Sequence, residues 1–569
     1  MAIVYTKTDQ GLTIATGTGA PVHTAVAGDR YTDTANGNTY QYTTVWNLMP
    51  LSGGLTYFTE AQNTTAPNAT VPVDTLTAVT ATTNGDIAIV PKGTGAFTLA
   101  VADSLVAGGN KRGANAIDLQ TSRTVNSQVA AGARSFTAGS NNTASADDSV
   151  AIGKGCVASA YYSVAIGLQT YATGSYATAF GFSNNSSGQQ SLTSGYGNTA
   201  SGASSVALGS SNTASGAGAV AMGAGNSNAG PYSAIFGYAN TSSGVGYTFK
   251  SGYGNTGAAA YSITTGYNNV VSGSENGCFG SSSNVSGDYA FSLGYQNIAS
   301  GLQSFAIGKS CNASNTGTVA LGYTNTSSGN LSYTFGSSCT ASNANAIAMG
   351  NRAKATGDSA ICLASYFYAD STASGANSIV IGYGTASSTR SIAIGFQASV
   401  ANASSTAIGD SANTFNTAGR IALSGGSLGN AGDNQKGVVS YRQRTTDATP
   451  TILTTNNATT FGDNAGSQLA LQNQQVMRFK GSITAKKSGT TDIAVWDIDG
   501  VIVRGANIAS TVLTVSNVNV VTNIPLWVTP ILAANLSISV GGLMITVTGA
   551  VATNIQWFAV LDTVENIYA

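Results

Sequence analysis

The chain is 569 residues long with a formal net charge of −1, and only 8% of its residues are charged against 42% hydrophobic and 70 glycines. This balance excludes a disordered tail and does not fit an ordinary globular enzyme. Near-neutrality excludes nucleic acid as the main partner, because phosphate binding needs a dense basic face.

In chain order, Met1-Ala2-Ile3-Val4-Tyr5 followed by Lys7 and Asp9 does not read as a signal peptide, and no apolar run is long enough to span a bilayer. Synthesis in a cytoplasm is therefore expected. His23, the one histidine, has no triad or metal partners nearby in sequence and reads as a surface or hairpin residue. Asn36-Gly37 between the aromatic, alternating flanks Arg30-Tyr31-Thr32-Asp33 and Thr39-Tyr40-Gln41-Tyr42 predicts a β-hairpin in an N-terminal region 1–65. Residues 66–134 read as a linker, rich in Pro, Thr and Asn up to Val73, and a lead-in β-region. Its Gly108-Gly109-Asn110-Lys111-Arg112-Gly113 is not a phosphate cradle: it lacks a Gly-Lys-Ser/Thr ending and a following helix, so a turn opening the first coil is expected.

From 135 to 424 a glycine returns every fourteen residues, from Gly139 and Gly153 through Gly237, then after one extra residue from Gly252 through Gly350. Ala364 takes the next slot, and looser repeats follow at Gly382, Gly395 and Gly409. Such an array is the signature of a solenoid. Each repeat reads Ser, apolar, small, apolar, Gly, as in Ser149-Val150-Ala151-Ile152-Gly153, and a second short phrase such as Ala200-Ser201-Gly202 follows five to seven residues after the glycine. Two strands and two turns per fourteen residues describe one coil of a narrow parallel β-solenoid, at about 4.8 Å per coil and therefore about 95 Å long. Val, Ile and Leu are expected inside it together with Ala and Ser, so that Asp in place of Ile166 or Leu208 would disrupt the interior.

The repeat frame also sorts the polar and aromatic residues. Cys156, Cys311 and Cys339 stand three residues after the glycine, where other coils place Asn142, Asn198, Asn212, Asn240, Asn255, Asn269, Asn297 and Asn325. Cys278 and Cys362 replace the small residue two before it. All five cysteines read as small buried thiols, with Cys311 and Cys339 about 10 Å apart and beyond disulfide reach. The Asn column reads as a ladder bonded to turn backbone. The residue after the glycine is Tyr196, Tyr238, Tyr253, Tyr267, Tyr295, Tyr323 or Tyr383, with Phe182 and Phe396 in phase. Packing at a corner or against a neighbouring chain explains this column; as a contact stripe, its candidate surface residues are the tyrosines at 196, 238, 253, 267, 295 and 323. Only 14 charges fall between 139 and 424, mostly single, and no catalytic, cofactor or metal constellation is read there. The adjacent Asp147 and Asp148 are poorly placed for the paired carboxylates of a polysaccharide depolymerase.

After 424 the period stops. Segments such as Asp492-Ile493-Ala494-Val495-Trp496-Asp497-Ile498 and Ile555-Gln556-Trp557-Phe558-Ala559-Val560-Leu561 alternate as antiparallel strands, which predicts a jelly-roll-like β-sandwich over 425–569. A lobe ending a rod suits a trimerising cap or a receptor-contact tip.

The Ser-Val-Ala-Ile-Gly wording at a fourteen-residue step resembles the left-handed parallel β-roll of YadA-like heads in trimeric autotransporter adhesins. The likeness covers about half the chain, and coils with Ser194, Ser251 and Thr265 in the second apolar place depart from it. It implies an all-β homotrimeric rod about a three-fold axis. The export signal, heptad stalk and membrane strands of an autotransporter are not read here. The hairpin phrase is similar to modules near the N-termini of phage fibres, and the C-terminal segment, with Arg504-Gly505-Ala506-Asn507 in a loop, resembles a domain of phage fibre and virion-surface proteins. Together these resemblances imply a non-enzymatic bacteriophage tail or virion fibre, without cofactor. Its partners would be its own copies, other virion proteins through the N-terminal region, and a host-surface glycan or protein at the tip. A capsid decoration without a receptor and a bacterial surface adhesin are the alternatives.

Overall fold

The computed structural model describes the strands before residue 89 and then residues 89–569, except 244–245, 365–368, 416, 457–466, 537–540 and 569. Two units are distinguished, Met1–Gly93 and Thr94–Ala569.

In the first unit Val4–Lys7 pairs antiparallel with Thr13–Gly17, which runs parallel to Arg30–Asp33. Arg30–Asp33 pairs antiparallel with Thr39–Tyr42 and that with Trp46–Leu48, with Tyr31 opposite Tyr40. This is the hairpin that Asn36-Gly37 signals, although the turn itself and His23 lie outside the described residues. Phe58–Asn63 and Val73–Ala78 form a second antiparallel pair.

The second unit is a parallel solenoid of about 21 turns that runs into an antiparallel β-sandwich. A coil consists of a five-residue strand such as Val150–Lys154, a turn, a two-residue strand such as Val157–Ala158, and a second turn. Like pairs with like from coil to coil, Val150 with Val164, Ile152 with Ile166 and Gly153 with Gly167. The one extra residue of the fifteen-residue coil is absorbed before the strand, so Gly237 still pairs with Gly252. In the looser coils the two strands fuse, as in Ile379–Ala386 and Ile392–Val400, with a register shift at Tyr383/Gly384.

The interior differs from expectation in one respect. Ala151, Ala165 and Ala207 are completely buried, whereas Val164, Ile166 and Leu208 are only half-buried and face outward. A fourteen-residue coil brings its two sheets so close that mostly small side chains fit between them, with Ile235, Val271, Val285, Val380 and Lys250 as larger exceptions, and most of the larger apolar residues are left on the outer face. The core is therefore mainly Ala, Ser, Thr, Cys and Asn. Ser163 and Ser205 are buried and donate to the carbonyls of Ala160 and Gly202 at 2.6 and 2.7 Å, closing the turn before the strand. The Asn column forms the expected ladder. Asn198 Oδ1 accepts from both the backbone and side-chain nitrogens of Asn212 at 3.0 Å, and Asn212 Nδ2 also donates to the carbonyls of Leu208 and Gly223 at 2.9 and 2.8 Å. Asn184 and Asn226 belong to it as well. Cys156 occupies the same seat, its thiol 3.2 Å from the carbonyls of Ile152 and Gly167.

Both ends of the solenoid are closed by buried charge. At the N-terminal end Asp118 holds the interior position opposite Thr137 and accepts from Arg112 Nε (2.6 Å), Arg123 Nη2 (2.8 Å) and Thr137 Oγ1 (2.8 Å). Burial alone would raise its pKa, but these donors hold the carboxyl below its ordinary value. At the C-terminal end the parallel order stops where Arg420–Gly425 pairs antiparallel with Asn434–Thr445. Fully buried Arg420 pairs there with Glu565, which also accepts from Thr563, Gln475 and Gln435 at 2.6, 3.1 and 3.2 Å.

Beyond that junction the large sheet continues in the order Asn434–Thr445, Ile555–Ile567, Gln475–Lys487, Ile493–Arg504 and Thr511–Asn523. A smaller sheet of Pro450–Ile452, Gly542–Thr548, Leu469–Ala470 and Ile531–Asn535 covers it. Between them lies a conventional core of large side chains, including Tyr441, Phe479, Trp496, Ile545 and Trp557. Trp496 and Trp557 stack with ring centroids 5.8 Å apart.

Candidate interaction surface

The long-strand sheet of the solenoid presents the same outward line in coil after coil. Tyr289, Phe291, Leu293 and Tyr295 form one such line, and Tyr261, Ile263, Thr265 and Tyr267 another. Half-exposed apolar residues run down the middle of this face and tyrosines run down both of its edges.

The column after the repeat glycine ends each strand. Tyr196, Tyr238, Tyr253, Tyr267, Tyr295 and Tyr323 are between 43% and 54% exposed, so they are not buried at a corner of their own coil. They form short stacks: Tyr253 lies 5.1 Å from Tyr238 and 5.0 Å from Tyr267 with the rings nearly parallel, and Phe182 stacks on Tyr196 at 5.2 Å. Where Lys309 takes the column's place, its ammonium bridges Tyr295 and Tyr323 at 5.9 and 5.4 Å from the ring centroids. The ring faces are thus largely occupied by one another, and the column offers its rims and phenol oxygens.

A second column was not singled out from sequence. Tyr162, Tyr176, Tyr232, Tyr247, Tyr261 and Tyr289 precede the strand and are between 51% and 64% exposed. All six have positive φ, from 51° to 60°. Gly218, Gly317 and Asn345 hold the same turn position in other coils, as a left-handed backbone favours. Stacking accompanies the aromatic choice: Tyr162–Tyr176 at 5.0 Å and Tyr232–Tyr247–Tyr261 at 5.6 and 5.1 Å. Counting nine residues on from the repeat glycine would have found most of it.

The tip has its own unsatisfied surface. Thr511–Asn523 pairs on one side only, with Ile493–Arg504, among the described residues, and exposes Val512, Val515, Val520 and Val521. Arg504 is turned inward, its Nε donating to Thr511 Oγ1 at 3.1 Å and its Nη2 to the Gly541 carbonyl.

Other candidates are bound up in structure. Asp147 accepts from the Ala133 amide at 2.9 Å and Asp148 makes two 2.7 Å bonds with Arg134, which hold the Asp148 carboxyl below its ordinary pKa. Arg112 points into the Asp118 cluster, and the strand Ile117–Ser122 follows it where a phosphate cradle needs a helix. All five cysteines are buried and free, and burial pushes the Cys278 and Cys362 thiols up to about 12. Among the described residues no His, Cys, Asp or Glu cluster could hold a metal ion, and no helix is long and apolar enough to cross a membrane.

The stacked parallel coils with their repeating outward stripes define an all-β solenoid of about 21 turns. The YadA head domain repeat model matches residues 130–155, 158–184, 186–212, 200–226, 286–310, 341–361, 369–385 and 386–412, so the shaft carries YadA head repeats. No curated protein matches the chain.

Proposed function

We propose that the chain is a non-enzymatic, homotrimeric fibre, displayed on a virion, whose C-terminal lobe contacts a host cell surface. The observation that carries this reading is the apolar outer stripe of the solenoid. A face lined by Val, Ile, Leu and Phe in every coil is far longer than the apolar patches monomers tolerate, and copies of the same chain in parallel cover it with equivalent residues. The exposed edge strand Thr511–Asn523 supports self-association of the tip for the same reason, since an unpaired apolar edge invites another chain. Recognition is assigned to the tip because its loops and mixed charges are irregular, whereas the shaft repeats one surface, and three tips side by side raise avidity. The hairpin-bearing N-terminal region supports attachment to other virion proteins. A bacterial surface adhesin is the second reading, favoured by the YadA head repeats themselves.

Light scattering on the full chain tests the trimer: a stable folded monomer in dilute buffer rejects it. Mass spectrometry of purified phage particles and of bacterial outer surfaces separates the two locations. Recovery from the bacterial surface and absence from particles overturns the virion reading.

A further inference from the structure

The tip carries a cluster of cations around an exposed aromatic ring. On the outer face of its large sheet Arg442 and Thr484 flank Phe558 from the two neighbouring strands, and one row on, Arg444 and Lys486 flank Gln556. Phe558 is 47% exposed. Two shallow depressions meet here and share Arg444 and Gln556; one reaches Arg442 and Phe558, the other Lys486, Lys487 and Asn554. Lys487 lies 3.6 Å from Asp492, but among the described residues no carboxylate pairs with Arg442, Arg444 or Lys486. Three unpaired cations within about 10 Å are conspicuous in a chain with so few charges.

The patch also lies beyond the shaft's own apolar stripe. Only Lys436–Val439 of the strand Asn434–Thr445 pairs with the last coil, so the part carrying Arg442 and Arg444 projects past the edge of the solenoid sheet.

We propose that this patch binds an acidic polysaccharide. A guanidinium and an ammonium on either side of an amide suit the carboxylates of successive uronate-type sugars. The Phe558 ring one row away, beside Arg442, suits the C–H face of a pyranose, and Thr484, Gln556 and Asn554 can bond its hydroxyls. A nucleic acid would call for a longer track of cations along its backbone. This inference rests on the reading of the chain as a surface-contacting fibre and names the ligand class of its tip.

The test uses the full-length protein with immobilised alginate as the carboxylated probe and dextran as the neutral one. Binding to alginate, none to dextran, and weakening with added salt are expected. The double variant Arg444→Gln/Lys486→Gln and the single variant Phe558→Ser should each weaken alginate binding about tenfold or more, with melting and oligomeric state unchanged. Unchanged binding in the double variant overturns the site. Equal binding of a DNA duplex, insensitive to Phe558→Ser, overturns the saccharide class. Loss of assembly in the variants reassigns the patch to a contact between copies. If the unmodified protein binds cells but not alginate, this inference fails and the fibre reading stands; if it binds neither, both fail.

Discussion

A Cβ placed on Gly167 would lie 2.0 Å from the carbonyl oxygen of Gly181 in the next coil, and Gly167 itself has φ of +133°. Two independent requirements, a left-handed backbone and a close approach of neighbouring strands, therefore converge on one position per coil. The same contact recurs along the array, with the Gly209 carbonyl 2.0 Å from the corresponding point on Gly195.

Gly167→Ala should consequently destabilise the shaft by more than about 2 kcal/mol, because backbone strain and a clash with main-chain atoms add. Urea unfolding followed by circular dichroism measures it. An unchanged midpoint would mean that the coils can separate locally at no cost.

Neighbouring residues of one strand should respond in opposite ways. Ala207 is buried and Leu208 faces out, so Ala207→Leu should overpack the coil and cost about 1–3 kcal/mol or more. Leu208→Asp should leave the coil folded but weaken association between copies. Circular dichroism together with sedimentation velocity separates the two outcomes; a folding defect in Leu208→Asp would restore the expectation that this residue lines the interior.

Lys250 is fully buried between Ile235 and Thr264 in the inward-facing column, and its Nζ donates to the carbonyls of Thr241 and Gly257 at 2.9 Å. Burial pulls its pKa from 10.5 down to about 8. Below about 8 both folded and unfolded chains hold the proton and the destabilisation is complete. Between about 8 and 10.5 only the unfolded chain binds it, so stability rises with pH. The wild-type melting temperature should therefore climb relative to Lys250→Thr between pH 7 and 10.5, by a free energy on the order of 3 kcal/mol. Parallel melting curves of the two proteins across this window would show that the amine is not desolvated.

The junction of shaft and tip depends on the buried pair Arg420–Glu565. Arg420→Met should cost about 3–5 kcal/mol by leaving Glu565 charged and buried. Adding Glu565→Gln to it should recover part of that loss. A double-mutant cycle by chemical denaturation checks this, and additive effects would show that the two side chains do not interact.

The sequence by itself determined the coil, its length and its register. A residue that must be glycine every fourteen positions leaves few ways to stack the chain, so the parallel pairing of Gly153 with Gly167 was legible, as were the Asn ladder and the tyrosine column through Tyr196 and Tyr323. Alternation alone could not say which face of the strand turns inward, because Val-Ala-Ile alternates equally well in either sense. The tertiary structure decided it through the narrow gap between the two sheets of a coil, which favours small side chains such as Ala165 inside and leaves Ile166 on the outer face. It also decided which groups from distant parts of the chain meet. Arg420 and Glu565 are 145 residues apart, and Arg444, Phe558 and Lys486 lie on three strands of one sheet whose pairing no local pattern specifies. Local periodicity is set by backbone conformation and neighbouring coils, whereas these contacts exist only once an antiparallel sheet has closed over the end of the solenoid.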